Sequence, residues 1–321
     1  MSVNVNRIIG KKNNLFNINT RALEQFQLQG MIVPGLVLLV LFSYIPMWGV
    51  LMAFQKYDIK RGFWGSPWVG LDNFKEFIFS RNFTIVMYNT LGISCLRLFI
   101  CFPAPIILAI FLNEVRSPLL KRIFQTVTYL PYFLSWIVVA GLVFSMMSGD
   151  GGPVNAVLLK LGIIKQPYNF MSEKRAFWPI LITANVWKDV GFQAIIYFAA
   201  ITGINPEYFE AAEIDGAGRF RKIAHITIPS IAPQIVILLI LAISNILNAG
   251  FEDVFLLTSS WRNGAVTPVA DVIETHVYRM GVISQRFSYA TAVGLFNSVV
   301  SAGLLVGANW LSRRLTDNSL W

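Results

Sequence analysis

The sequence predicts an all-α, polytopic membrane protein, and three observations predict it. The 321 residues are 55% hydrophobic and only 13% charged, with a mean hydropathy of +0.59, too apolar for an ordinary soluble domain. Six apolar runs, at 31–54, 84–112, 123–147, 178–201, 230–250 and 289–311, are each long enough to cross a hydrocarbon core of about 30 Å as helices of roughly 20 residues. The runs are continuous rather than alternating, which argues against a β-barrel, and in lipid a helix leaves no backbone amide unpaired.

Residues 1–30 are polar and carry Arg7, Lys11, Lys12 and Arg21 against Glu24, which reads as a cytoplasmic segment. The run that begins at Met31 is too long for a signal-peptide core and reads as a retained helix. Pro46, Pro103 and Pro105 lie inside apolar runs, each removes a helix hydrogen bond, and kinks are expected there. Cys95 and Cys101 in the second run suit buried apolar packing better than a disulfide or a metal site. Ser148-Gly149-Asp150-Gly151-Gly152-Pro153 has turn chemistry throughout and should end the third span. With the N-terminus inside, the outer loops are 55–83, 148–177 and 251–288, and the inner ones are 113–122 and 202–229. Trp64, Trp68, Tyr168 and Trp261 on the outer loops suit a water–lipid interface or a docking surface. Residues 31–314 read as one membrane domain and 315–321 as a cytoplasmic tail. The net charge of +9 suits anionic lipid, but Lys and Arg fall equally on the two sides, so charge alone does not orient the chain.

Loop 202–229 is polar and rich in small residues although it separates two apolar runs. Asn205-Pro206 is a good helix start, since Asn caps and Pro at the first helical position loses no needed hydrogen bond. Glu207 and Glu210 fall in the first turns, where the helix dipole favours anions. Ala211 and Ala212 keep the helix slim enough to enter a cleft, and Gly216 is free to take positive φ and reverse the chain. A short capped helix lying across the inner membrane surface is therefore expected. Arg219, Arg221 and Lys222 follow, placed to meet headgroups or an acidic partner, while His225 reads as a surface or packing residue.

The order Glu210-Ala211-Ala212, three residues, Gly216, nine residues, Ile226-Thr227-Ile228-Pro229 resembles the cytoplasmic signature loop of ATP-binding-cassette (ABC) importer permeases, with Ile228 where the family has Leu. Pro34-Gly35-Leu36, Tyr44-Ile45-Pro46-Met47 and Trp68 to Phe74 look like the opening of the sugar-type permeases. Thr128-Tyr129-Leu130-Pro131 and Tyr289 to Phe296 look like the polysaccharide-transporting, LplB-type branch. The resemblance implies a type I importer permease fold, in which Glu210, Ala211, Ala212, Asp215, Gly216, Ala217 and Gly218 form the EAA motif and coupling helix. It implies a second permease, an ABC ATPase dimer, an extracytoplasmic sugar-binding protein, and a bacterial cell membrane location with both termini cytoplasmic. This chain would carry no cofactor, the partner ATPase binding ATP and Mg. It also implies that the first span packs against the partner permease.

Polar residues inside the spans mark a pathway, because a charge at a helix centre costs about 2.5–3.5 kcal/mol. Arg97, Lys188 and Asp189 lie near the middle of their runs. Asn185, Asp189 and Gln193 fall at i, i+4 and i+8 on the fourth helix. Asn245, Asn248 and Glu252 fall at i, i+3 and i+7 and are expected to form a stripe on the fifth. Trp187 and Trp136 offer flat faces for sugar rings. Related sugar permeases place substrate-contacting Asn residues near the positions of Asn245 and Asn248. The opposing reading is that Asp189 pairs with Arg97 or Lys188 purely to hold helices together. The midplane cations are compatible with an acidic oligosaccharide such as a uronate-containing pectin or alginate fragment, and neutral sugars remain open.

The sequence holds no H-E-x-x-H, no nucleophile elbow and no phosphate-binding loop, so it reads as a non-catalytic subunit with ATP hydrolysis elsewhere. The two histidines, His225 and His276, fall on opposite sides of the membrane in this topology, and no metal site is expected. An ion-coupled secondary transporter using Asp189 is the alternative, although inverted repeats are missing. A channel would want rings of like charge or a filter-like Gly run, neither of which is present.

Overall fold

The computed structural model describes residues 25–149, 151–259, 263–316 and 319–321. Arg7, Lys11, Lys12, Arg21, Glu24, Asp150 and Trp261 lie outside the described residues. The described residues are helical and connected by turns, with one isolated antiparallel bridge among them, between Gln55 and Trp68. The chain divides into two units, Met1–Met52 and Ala53–Trp321.

The described part of the first unit is α1, Gln25–Phe54, whose last residues run past the boundary. It begins before the expected Met31 and is apolar on every side, with Phe42 75% exposed. Its hydrogen bonding widens to a π turn at Val40–Tyr44 and then tightens to a 3₁₀ stretch at Ile45–Phe54, where Pro46 supplies no N–H.

In the second unit the main helices are α2 (Asp72–Ile78), α3 (Arg81–Glu114), α4 (Pro118–Phe133), α5 (Trp136–Met147), α6 (Lys174–Thr202), α7 (Pro206–Ile214), α8 (Arg219–Ser230), α9 (Ala232–Ser244), α10 (Glu252–Leu257), α11 (Ile273–Tyr278) and α12 (Phe287–Thr316). Ser80 caps α3 by accepting the Phe83 N–H. Pro103 and Pro105 do not break α3. Their missing donors are absorbed by a π turn at Arg97–Cys101, in which the Phe102 N–H reaches back to the Arg97 carbonyl at 2.9 Å.

The six expected runs are all helical but differ in form. Among the described residues α1, α3 and α12 are long and apolar enough to cross a membrane, and two bent pairs bring the number to five. The run at 123–147 is one of these pairs: α4 and α5 meet at 102°. Pro131 has no N–H, the chain tightens over Leu130–Phe133 and extends at Leu134, and Ser135 restarts the helix as an N-cap. The second pair is α8 and α9, bent by 63°. The fifth run ends as helix at Ser244 rather than at 250, because Asn245 caps it and the chain turns. The sixth helix, α6, is 29 residues long but less apolar, being interrupted by Asn185, Lys188, Asp189 and Gln193.

Three clusters hold the second unit together. One joins Ile93, Phe177, Leu181, Val254 and Leu257; one joins Phe77, Val86, Ile273, Tyr289 and Val293; one joins Ala109, Ala194, Tyr197, Ile201 and Ile231. Helix α6 contributes to the first and third, and so runs the length of the unit. It crosses α4 almost backbone to backbone: a Cβ on Gly191 would lie 2.0 Å from the Thr128 carbonyl oxygen.

Candidate functional site: a polar cavity and an exposed loop

A cavity of about 300 Å³ opens between α3, α6 and the end of α9, lined by Ser94, Arg97, Asn185, Asp189, Gln193, Asn245 and Asn248 among others. The i, i+4, i+8 stripe expected on α6 thus faces one space. Asn245 and Asn248 reach it by a different route from the one expected. They do not lie on a helical stripe, because α9 has ended. Asn245 closes α9 by donating its amide to the Leu241 carbonyl at 2.9 Å, Asn248 donates to Asn245 Oδ1 at 3.1 Å, and Asn297 on α12 donates to Asn248 Oδ1 at 2.8 Å. Glu252 begins α10, is exposed and does not line the cavity.

Arg97 forms an ion pair with Asp253, which is 4% exposed. Asn185 donates to the same carboxylate at 3.0 Å and to the Leu181 carbonyl at 2.8 Å. This arrangement satisfies a charge pair that would otherwise be costly in a low-dielectric interior. Arg97 Nε and Ser94 Oγ are buried behind the wall without a protein partner, whereas Asp189, Gln193 and Asn245 bring polar side chains to the cavity. Of the two partners that the opposing reading gave Asp189, Arg97 pairs with Asp253 instead, while Lys188 lies within 3.9 Å of Asp189.

Lys188, 6% exposed, turns away from the cavity. Its ammonium donates to the Tyr132 carbonyl at 2.8 Å and lies 5.1 Å and 5.7 Å from the ring centroids of Tyr132 and Trp136. It therefore serves the break between α4 and α5, where a carbonyl freed from the helix ladder needs a donor. Asp189 approaches it only at 3.9 Å. Trp136 is committed to this cluster, and Trp187 faces a separate cavity. Cys95 is exposed rather than buried, Cys101 is half-buried, and both are free thiols.

The loop has the expected form. Asn205 Oδ1 accepts the Glu207 N–H at 3.1 Å and Pro206 occupies the first turn of α7. Gly216, at φ +71, closes the helix: the Gly216 N–H reaches Glu213 O at 3.0 Å and the Ala217 N–H reaches Ala212 O at 2.8 Å, the paired bonds of a Schellman motif. Glu210, Ala211, Asp215, Gly216 and Gly218 are exposed, Ala212 and Ala217 half-buried. Ile214 and Phe220 flank the turn, each 88% exposed. Lys222 binds Glu213 at 2.6 Å, holding that carboxyl below its usual range, and Arg219 binds Glu114 at 3.2 Å. His225 is exposed, its Nδ1 3.1 Å from the Arg221 carbonyl.

Sequence reasoning missed Asp253 and Asn297. The one available signal for Asp253 was its place beside Glu252, too far along to belong to the expected fifth span. It also placed His276 in an outer loop without a network. His276 is fully buried, its Nε2 3.1 Å from Tyr289 Oη and its Nδ1 3.1 Å from Arg279, which pairs with Asp271.

Known proteins are similar to this chain. Protein LplB of Bacillus subtilis (strain 168) is 42% identical over 291 residues, covering 91% of this chain and 90% of that one. The polygalacturonan/rhamnogalacturonan transport system permease protein YteP of the same organism is 40% identical over 317 residues, 99% of this chain and 97% of the relative. In the crystal structure of a bacterial ABC transporter involved in the import of the acidic polysaccharide alginate, a chain 38% identical superposes with a TM-score of 0.84, covering 94% of this chain and 99% of that chain. Residues 102–317 match the binding-protein-dependent transport system inner membrane component family. With this match spanning α3 to α12, the chain belongs to the family of inner membrane components of binding-protein-dependent transport systems, and its fold is that of an ABC importer permease.

Proposed function

We propose that this chain, with a second permease, forms the pathway for ATP-driven uptake of an oligosaccharide delivered by an extracytoplasmic binding protein. In this reading α7 and its turn dock on a separate ABC ATPase that binds ATP and Mg, and both termini are cytoplasmic. The observation that carries it is the path of α6. Its middle bears Asn185, Asp189 and Gln193 on the polar cavity, and its last residue, Thr202, precedes the exposed loop. From Asn185 to Thr202 the helix spans roughly 25 Å at about 1.5 Å per residue, so movement at the loop reaches the cavity through one stiff element. The cavity suits hydroxyls: Asn245, Asn248 and Gln193 bring neutral amide groups to its wall, and a sugar hydroxyl stripped of water needs such partners. The relatives named for polygalacturonan, rhamnogalacturonan and alginate support a carbohydrate cargo. The ion-coupled alternative has less behind it, since Asp189 sits beside Lys188 and the family is binding-protein-dependent.

The test is to tag the protein, extract it gently from its own membrane and identify what co-purifies, for the wild type and for Gly216→Asp. An ABC ATPase recovered with the wild type and lost or weakened in the variant supports the reading. No ATPase with either form, under conditions that keep membrane complexes intact, overturns it.

A further inference from the structure

A second cavity, of about 870 Å³, is lined by α6 and α3 and differs in chemistry from the first. Lys174, Trp178, Ile182 and Val186 recur at every fourth position and share one stripe of α6. Val186 also belongs to the wall of the polar cavity, so the two spaces adjoin. The rings of Tyr88 and Trp178 lie 5.9 Å apart and 35° from parallel, with Trp187, 46% exposed, further along. At the N-terminal end of α6, Lys174 and Arg175 are exposed, and neither is in a salt bridge among the described residues. Glu173, next in sequence, accepts from the Tyr168 hydroxyl at 2.7 Å and the Arg175 N–H at 3.3 Å and keeps its negative charge there, so this end of the helix carries two cations against one carboxylate.

We infer that this trough is an outer subsite for an acidic oligosaccharide, the carboxylates meeting Lys174 and Arg175 while sugar rings lie on Tyr88, Trp178 and Trp187. The inference rests on the importer reading and adds the substrate class. Charge places the selection here rather than at the midplane, where Arg97 is neutralised by Asp253 and Lys188 is spent on Tyr132. Aromatic faces pack the C–H faces of sugar rings, and mobile cations at a wet rim bind carboxylates without a large desolvation cost.

The permease complex with its partner subunits, in nanodiscs of neutral lipid, is titrated with tetragalacturonate and with its methyl ester. Lys174→Gln with Arg175→Gln should weaken binding of the acid about tenfold and move the ester little, as loss of charge-assisted hydrogen bonds would. Trp187→Leu should weaken both ligands, and the conservative pair Lys174→Arg with Arg175→Lys should keep the acid preference. Equal weakening of acid and ester by the glutamine pair, or no change in either, overturns the subsite and fits a trough filled by a partner helix or an acyl chain. ATP-driven uptake into proteoliposomes is read in parallel. Uptake that persists without acid discrimination removes only the subsite, whereas no uptake of any oligosaccharide by the wild type removes the importer reading as well.

Discussion

The cavity and the loop use polar residues in opposite ways. At and behind the cavity wall, charges are enclosed and answered from within the chain: Arg97 by Asp253, Asp253 by Asn185 and, turned away from the cavity, Lys188 by the Tyr132 carbonyl. On the loop, Ile214 and Phe220 stand almost fully exposed while the turn at Gly216 closes the backbone. A buried charge must find its partner as the chain folds, because lipid and protein offer no water to replace it. A docking segment must do the reverse, keeping side chains free for another surface while fixing the shape of its backbone.

The comparison is broken most severely by removing one member of the enclosed pair. Arg97→Ala strands the Asp253 carboxylate and should cost about 3–5 kcal/mol, whereas Arg97→Met with Asp253→Leu should recover most of it. Thermal unfolding of the purified complex reads this; an unchanged midpoint in the single variant would mean that the pair contributes nothing. Next in size is Gly191→Ala, which sets a Cβ against the Thr128 carbonyl and should cost about 1–3 kcal/mol as α4 is pushed from α6, provided the helices cannot slide apart. Wild-type stability there would show that the crossing is looser than its geometry.

On the loop, Gly216→Ala places a Cβ at positive φ and should cost about 1–2 kcal/mol locally. Its larger consequence should be weaker ATPase recovery, with the melting midpoint of the complex moved far less than by Arg97→Ala. The smallest effect is expected of Lys222→Ala. Glu213 is held below its usual range by Lys222, so the pair contributes above the ordinary glutamate pKa, and that contribution is lost as pH falls through the lowered value. The difference between wild type and variant should therefore shrink towards acid pH. A difference that stays constant would assign Lys222 a packing role instead.

The loop was legible because its devices are local. Asn205, Pro206 and Gly216 act within a few residues of their own positions, so the cap, the first turn and the reversal follow from order along the chain. The stripe on α6 was legible for the same reason, since helical periodicity puts Asn185, Asp189 and Gln193 on one face. The break at Pro131 was not, because an apolar run reads the same whether straight or folded by 102°. Nor was the stop at Ser244, which turned an expected stripe of Asn245, Asn248 and Glu252 into a turn that keeps the two asparagines and sends the glutamate outward.

The sequence by itself determined a helical membrane protein, its capped and sharply turned loop and the identity of the polar residues inside its helices, because hydropathy, caps and periodicity act between near neighbours. Only the tertiary structure decided which charges meet. Arg97 and Asp253 are bonded although 156 positions separate them, and Lys188 chooses a carbonyl 56 positions away over the aspartate beside it. Pairing inside a membrane is set by which helices cross and where they break, and those crossings depend on contacts such as Gly191 on Thr128 that no local pattern announces.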